Sequence, residues 1–180
     1  MRRLKYFLLA AFCAAAVGSP ISTFGAPQFE YGQSVAPADL ARYASATPGG
    51  AGLPPGQSDA IQGKAVFASQ CVACHGENLE GVRETGGLAL IGGRGTLGSA
   101  KPFKTVESYW PYATTVFDYV KRAMPFNAPG SLSDDEVYAV TAYILASGNI
   151  IKFTDRLDAT TLAAVAMPNR DGFFTDPRPK

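Results

Sequence analysis

Cys71-Val72-Ala73-Cys74-His75 is the densest concentration of reactive side chains in this 180-residue sequence, and it contains the only histidine. A C-x-x-C-H run is the attachment signature of haem c: two thiols add to the porphyrin vinyl groups and the adjacent imidazole ligates the iron. The spacing is chemical, because one helical turn separates the cysteines and turns both to one side. Competing readings fail on inventory. A zinc site needs a fourth ligand that no second C-x-x-C or histidine supplies. A thioredoxin-like pair needs a strand before the cysteines, whereas a helical pattern precedes them here and Gly76 follows. A plain disulfide would leave His75 without a role.

An iron held by one histidine needs an account of its other face. With His75 alone, bis-histidine ligation from this chain is excluded, which leaves methionine, water or nothing. Met124 and Met167 are each followed by proline. Met124 lies 49 residues after His75, just before a strongly marked helix, so the intervening chain can pass around the ring and return on its far face. Met167 stands beyond that helix in a stretch without periodicity and is expected in the core. The expected ligand is therefore Met124. A thioether favours ferrous iron and closes the sixth position, so such a centre passes electrons rather than binding substrate. A catalytic or ligand-sensing haem with an open sixth position is the alternative from another class.

Three helices must position these residues. Residues 58–70 (SDAIQGKAVFASQ) form one, with Ser58 as the expected N-cap and Ile61, Ala65, Val66 and Phe67 as its inward stripe. Gly63 in mid-helix costs about 1 kcal/mol against alanine, which points to close approach by another element. The partner is the helix after Ser133-Asp134-Asp135-Glu136, a capping box, with Val137, Val140, Tyr143 and Ile144 on one face and Gly148 at its end. Thr115 to Ala123 forms the third, turning Val116, Phe117 and Val120 inward and delivering Met124.

Composition and targeting bound the rest. Apolar residues make up 47% and charged ones 17%, enough for one packed core, while 19 glycines and 13 prolines leave much of the backbone in loops. Arg2, Arg3 and Lys5 precede the apolar run Tyr6 to Gly18 and the small residues beyond it, the pattern of a secretory signal over residues 1–26 with cleavage between 18 and 26. The run falls short of the roughly 20 residues of a spanning helix, so no membrane span is expected in the mature chain, and Cys13 leaves with the signal. Export puts the protein in the periplasm. The mature chain has 13 basic and 15 acidic residues, a charge of −2, which gives no footprint for nucleic acid.

The stretch GKAVFASQCVACHG (63–76), Met124-Pro125 and a closing helix containing AYIL together resemble the class I cytochromes c. The resemblance covers residues 58–149. It implies an all-α fold of three to four helices around one covalently bound haem c, with residues 27–57 and 150–180 as extended arms. GGRGTL (92–97), residues 108–145 and MPNRDGF (167–173) are further similar to cytochrome subunits of periplasmic sulfite and sulfur dehydrogenases. That likeness implies one-electron transfer, receipt of electrons from a molybdenum-containing dehydrogenase subunit, and relay to a downstream cytochrome or oxidase. A freely diffusing carrier is the nearest alternative. The family holds its ligand histidine through a carbonyl in a proline-containing loop; here GGLALIGG (86–93) has no proline, and a carbonyl between Leu88 and Ile91 is expected to serve.

Gly93-Arg94-Gly95-Thr96-Leu97-Gly98 matches G-x-G-x-x-G, but no strand precedes it and Pro102 interrupts any following helix, so nucleotide binding fails its context. The loop is expected over the haem edge, with Arg94 pairing a propionate and Tyr109, Trp110 or Tyr112 donating hydrogen bonds. Residues 94–126 carry Arg94, Lys101, Lys104, Lys121 and Arg122 against Glu107 and Asp118, an excess of +3 that would guide an acidic partner. Asp155 to Ala166 is expected to be helical.

Overall fold

The computed structural model describes residues 34–42 and 45–178; the expected signal segment and residues 27–33 lie outside them. The chain divides into units 1–37 and 38–180, and the description below concerns the second. A short helix, α1, covers Pro37–Arg42. The centre is built from α2 (Ala60–Gln70), α3 (Val72–His75), α4 (Ala113–Ala123) and α5 (Asp134–Ser147). A two-stranded antiparallel sheet pairs β1 (Gln57–Asp59) with β2 (Arg156–Asp158), Ser58 standing opposite Leu157, and β2 runs directly into α6 (Ala159–Ala163).

The sheet changes how α2 begins. Pairing with β2 draws Ser58 into a strand, where it is buried and its hydroxyl donates to Gln62 Oε1 at 2.8 Å. The cap therefore moves one residue on, to Asp59, whose carboxylate accepts from Gln62 N–H. The inward stripe also differs from the expected one: Ala60, Gly63 and Phe67 are buried, Ala65 is exposed, and Ile61 is 63% exposed. The reason is the contact with α5. A Cβ on Gly63 would lie 1.9 Å from Ala139 O, so this glycine marks where the two backbones touch and it sets the face of α2 that turns inward. Phe67 then meets Tyr143 with ring centroids 5.2 Å apart.

Helix α5 is the core. Its capping box is formed: Ser133 Oγ accepts from Glu136 N–H, while Ser133 N–H donates to the Glu136 carboxylate and holds that carboxyl below its usual range. Every residue from Val137 to Ala146 is buried, so the helix is covered on all sides rather than on one stripe. Helix α4 starts two residues before the expected Thr115 and buries Val116, Phe117 and Val120 as expected.

Both flanking segments lie on this core. Ala46 N–H donates to Asp118 Oδ1 and Gln57 N–H to Asp135 Oδ1. The helix expected over 155–166 shrinks to α6, because its first residues are taken into β2 and Asp158 becomes the cap. Further on, Met167 is buried in the core, Asn169 Nδ2 donates to Tyr109 O at 2.7 Å, Arg170 sits over the Tyr112 ring, and Phe173 meets Tyr109 edge-on.

Tyr138 ties the N-terminal flank down by donating its hydroxyl hydrogen to Pro54 O at 2.9 Å. Burial, helped by the charges of Asp158 and Asp134, pushes this phenol up to about 12. In the unfolded chain it ionises near 10. The bound proton is thus retained longer by the folded state, and stability falls as pH climbs from about 10 toward 12. Tyr138→Phe is expected to cost about 1 kcal/mol at pH 8 through the lost hydrogen bond. That deficit should shrink above pH 10, because only the wild type has this proton to lose. Urea unfolding of both proteins at the two pH values measures it; a constant deficit would contradict the assignment.

Candidate functional site

The site begins where α2 ends. Cys71 leaves helical geometry (φ −124°, ψ −32°), serving as C-cap of α2 and N-cap of α3. One turn later α3 stops at Gly76, whose φ of +77° a side chain would resist. The two carbonyls left open at the end of α3 find partners at once, since Val82 N–H donates to Cys74 O at 2.8 Å and Gly81 N–H to His75 O at 2.7 Å. The chain folds back over its own motif.

That return is what orients His75. Gly87 passes so close to the motif that a Cβ on it would lie 1.8 Å from Cys74 O. The next residue, Leu88, turns its carbonyl to His75 Nδ1 at 2.7 Å. A carbonyl can only accept, so Nδ1 carries the proton and Nε2 keeps its lone pair for a metal. Of the carbonyls expected between Leu88 and Ile91, the first is the one used. Two further ties hold this segment: Gly87 N–H donates to Val82 O at 3.1 Å, and Leu90 N–H donates to Leu79 O at 2.8 Å.

Cys71 and Cys74 are unpaired thiols, both half-buried. Burial, and then the neighbouring Cys74, push the Cys71 thiol up to about 11. The donor set of two thiols and one available imidazole nitrogen matches covalent haem. Val72, Leu90, Ile91, Trp110 and Met124 pack on the core yet remain only partly buried, and Leu88 is 75% exposed. Apolar side chains left half-covered next to a core are what a large flat apolar group would cover.

Met124 caps α4 in extended backbone (φ −124°, ψ 149°), the conformation the following proline demands. It is half-buried where Met167 is buried. Arg94, expected to pair a propionate, donates from Nε to Glu107 Oε1 at 2.9 Å and from Nη2 to Gly148 O at 2.6 Å. Trp110 packs edge-on against Tyr119, centroids 5.7 Å apart. Within residues 94–126 the two acids already subtracted pair with Arg94 and Arg122, and Lys121 pairs with Asp134 beyond that window, so the local excess of +3 is reduced by one charge only. Sequence reasoning missed Gly87 and Glu107. The Gly86-Gly87 doublet soon after the motif was the available signal for the first; Glu107 had none, since a lone acid in a polar loop looks like surface.

A one-turn helix bearing two thiols, an imidazole with fixed tautomer, and a helical core with a half-covered apolar face define a helical protein built to hold one covalently attached haem. A family model described as cytochrome c matches residues 60–147. A chain in the crystal structure of the sulfane dehydrogenase SoxCD from Paracoccus pantotrophus is 38% identical, with a TM-score of 0.74 over 84% of this chain and 74% of that one. The protein belongs to the cytochrome c family, which binds haem c covalently and transfers electrons through it. It is also similar to two proteins named thiosulfate dehydrogenase. The one from Stutzerimonas stutzeri is 29% identical over 93 residues, 51% of this chain and 28% of that protein. The one from Allochromatium vinosum is 30% identical over 89 residues, 49% and 32% respectively. The match thus spans less than a third of either relative.

Proposed function

We propose that this chain is the electron-accepting haem subunit of a periplasmic sulfite or sulfur-compound dehydrogenase. It takes single electrons from a molybdenum-containing catalytic subunit and passes them to a downstream cytochrome or oxidase. The observation that carries this reading is the likeness to the SoxCD chain, which extends over 84% of the sequence and so reaches beyond the residues that the cytochrome c model matches. The thiosulfate dehydrogenases support the same sulfur-oxidising setting. Residues 1–26 supply the export signal, and no helix among the described residues is long and apolar enough to cross a membrane.

In this reading Cys71 and Cys74 would anchor the haem, His75 and Met124 would ligate its iron, and Arg94 and Trp110 would hydrogen-bond its propionates. The haem supplies one reversible electron at iron. His75 keeps its Nδ1 proton on Leu88 O throughout, which makes Nε2 a stronger donor. Met124 would supply a thioether ligand, which would exclude water from the iron and favour the reduced state. The half-covered apolar side chains exclude solvent and lower the local dielectric.

Three measurements test this. Oxidised holoprotein should show a weak near-infrared sulfur-to-iron band that Met124→Ala abolishes and Met167→Ala retains; the reverse pattern overturns the ligand choice. Reduced wild type should resist carbon monoxide, which an open sixth position would bind. Affinity purification from the source periplasm should bring down a molybdenum subunit, and purification without one argues for a freely diffusing carrier.

A further inference from the structure

We infer that Glu107 is a positioning residue for the His75 imidazole, acting through the backbone of residues 88–92. The inference rests on the reading of His75 as the haem ligand. A carbonyl directs an imidazole only if its own peptide is fixed, and Leu88, 75% exposed, gains little fixation from its side chain. The fixation must come from neighbouring backbone. On one side it comes from Leu79, whose carbonyl receives Leu90 N–H at 2.8 Å. Leu79 is itself held firmly, buried and at a φ of +59° that leucine adopts only where its surroundings enforce it.

On the other side the fixation comes from Glu107. Its backbone N–H donates to Leu90 O at 3.4 Å, and its carboxylate Oε2 accepts from Gly92 N–H at 2.5 Å. The second carboxylate oxygen takes Arg94 Nε at 2.9 Å, and Arg94 reaches on to Gly148 O at the end of α5. Thr105 Oγ1 adds a bond to Gly92 O at 2.7 Å. One side chain, 14% exposed, thus joins the segment that orients the ligand to the end of the central helix. Hydrogen bonds to a charged acceptor are worth more than neutral ones, and removing the carboxylate leaves a buried-side N–H and a guanidinium without their acceptor.

The test uses holoprotein and reads the ligand itself. Solvent exchange of the His75 Nδ1 proton, followed by NMR, and the reduction potential are measured in wild type, Glu107→Ala, Glu107→Gln and Ser133→Ala. Glu107→Ala should speed exchange about tenfold or more, the loss of one such hydrogen bond, and raise the potential, because a weaker Nδ1 hydrogen bond makes His75 a poorer donor to ferric iron. Glu107→Gln keeps an oxygen for Gly92 N–H and should fall between. Ser133→Ala removes the α5 cap, lowers stability, and should leave exchange near wild type. Exchange in Glu107→Ala no faster than in Ser133→Ala would overturn the inference. If Glu107→Ala does not mature, Glu107→Gln and Arg94→Lys decide it by the same readouts, and unchanged exchange in both overturns it. Wild type without covalent haem by pyridine haemochrome would overturn both this inference and the reading beneath it, whereas attached haem with unchanged exchange removes only the role of Glu107.

Discussion

Gly87→Ala is expected to yield protein in which haem attachment is severely impaired. The added methyl would lie 1.8 Å from Cys74 O and 2.5 Å from Cys74 C, both backbone atoms of the helix that carries the motif. No rotamer change relieves a clash between a Cβ and a main-chain carbonyl, so residues 86–90 must lift away. Lifting them breaks the bond from Gly87 N–H to Val82 O and withdraws Leu88 O from His75 Nδ1. Overpacking of this kind costs about 3 kcal/mol or more at its upper end. The imidazole also loses the partner that sets its tautomer. The yield of covalent haem per polypeptide, measured by pyridine haemochrome, should drop well below wild type. Full haem content with a melting temperature close to wild type would contradict the geometry.

Gly63→Ala sets local preference against packing. In an isolated helix the change would add about 1 kcal/mol of stability, since alanine is the better helix former. In the folded protein the new Cβ meets Ala139 O at 1.9 Å and Tyr143 Cβ at 2.8 Å. Helices α2 and α5 must separate, and with them the Phe67–Tyr143 contact that joins α2, the helix leading into the Cys71–His75 motif, to the core. We expect a net loss of about 3 kcal/mol, the clash outweighing the gain in propensity. Because the obstacle is a main-chain oxygen, no substitution at Ala139 restores stability. Urea unfolding of Gly63→Ala, alone and with Ala139→Gly, checks both statements; a stabilised variant would show that α2 and α5 are further apart than described.

These two glycines also mark where the sequence was and was not legible. Gly63 stood out because its cost in a helix asked for a reason, and the reason was the one expected. The α5 boundary at Ser133 and the inward face of α4 were readable because local chemistry alone sets them: a capping box and a 3.6-residue stripe. The cap and face of α2 were not, because they depend on Leu157 and Ala139, distant residues that no window around α2 contains. The same pairing with β1 shortened the expected C-terminal helix. At the site, types and spacing revealed the thiols and the imidazole, but not which carbonyl would steer it, since that follows from where a glycine-rich loop is pinned. Arg94 could be singled out as a cation but not matched to Glu107 and Gly148, which reach it only in the folded chain.

The fastening of the C-terminal residues to Tyr109, Tyr112 and the edge of β1 has a consequence for association. Any protein that meets this face encounters a contour already set before contact. Little conformational freedom remains there to be surrendered on docking, so recognition can rest on a small area and still be brief. In the proposed assembly it is the downstream acceptor that must leave after each electron, and such short-lived encounters would serve it.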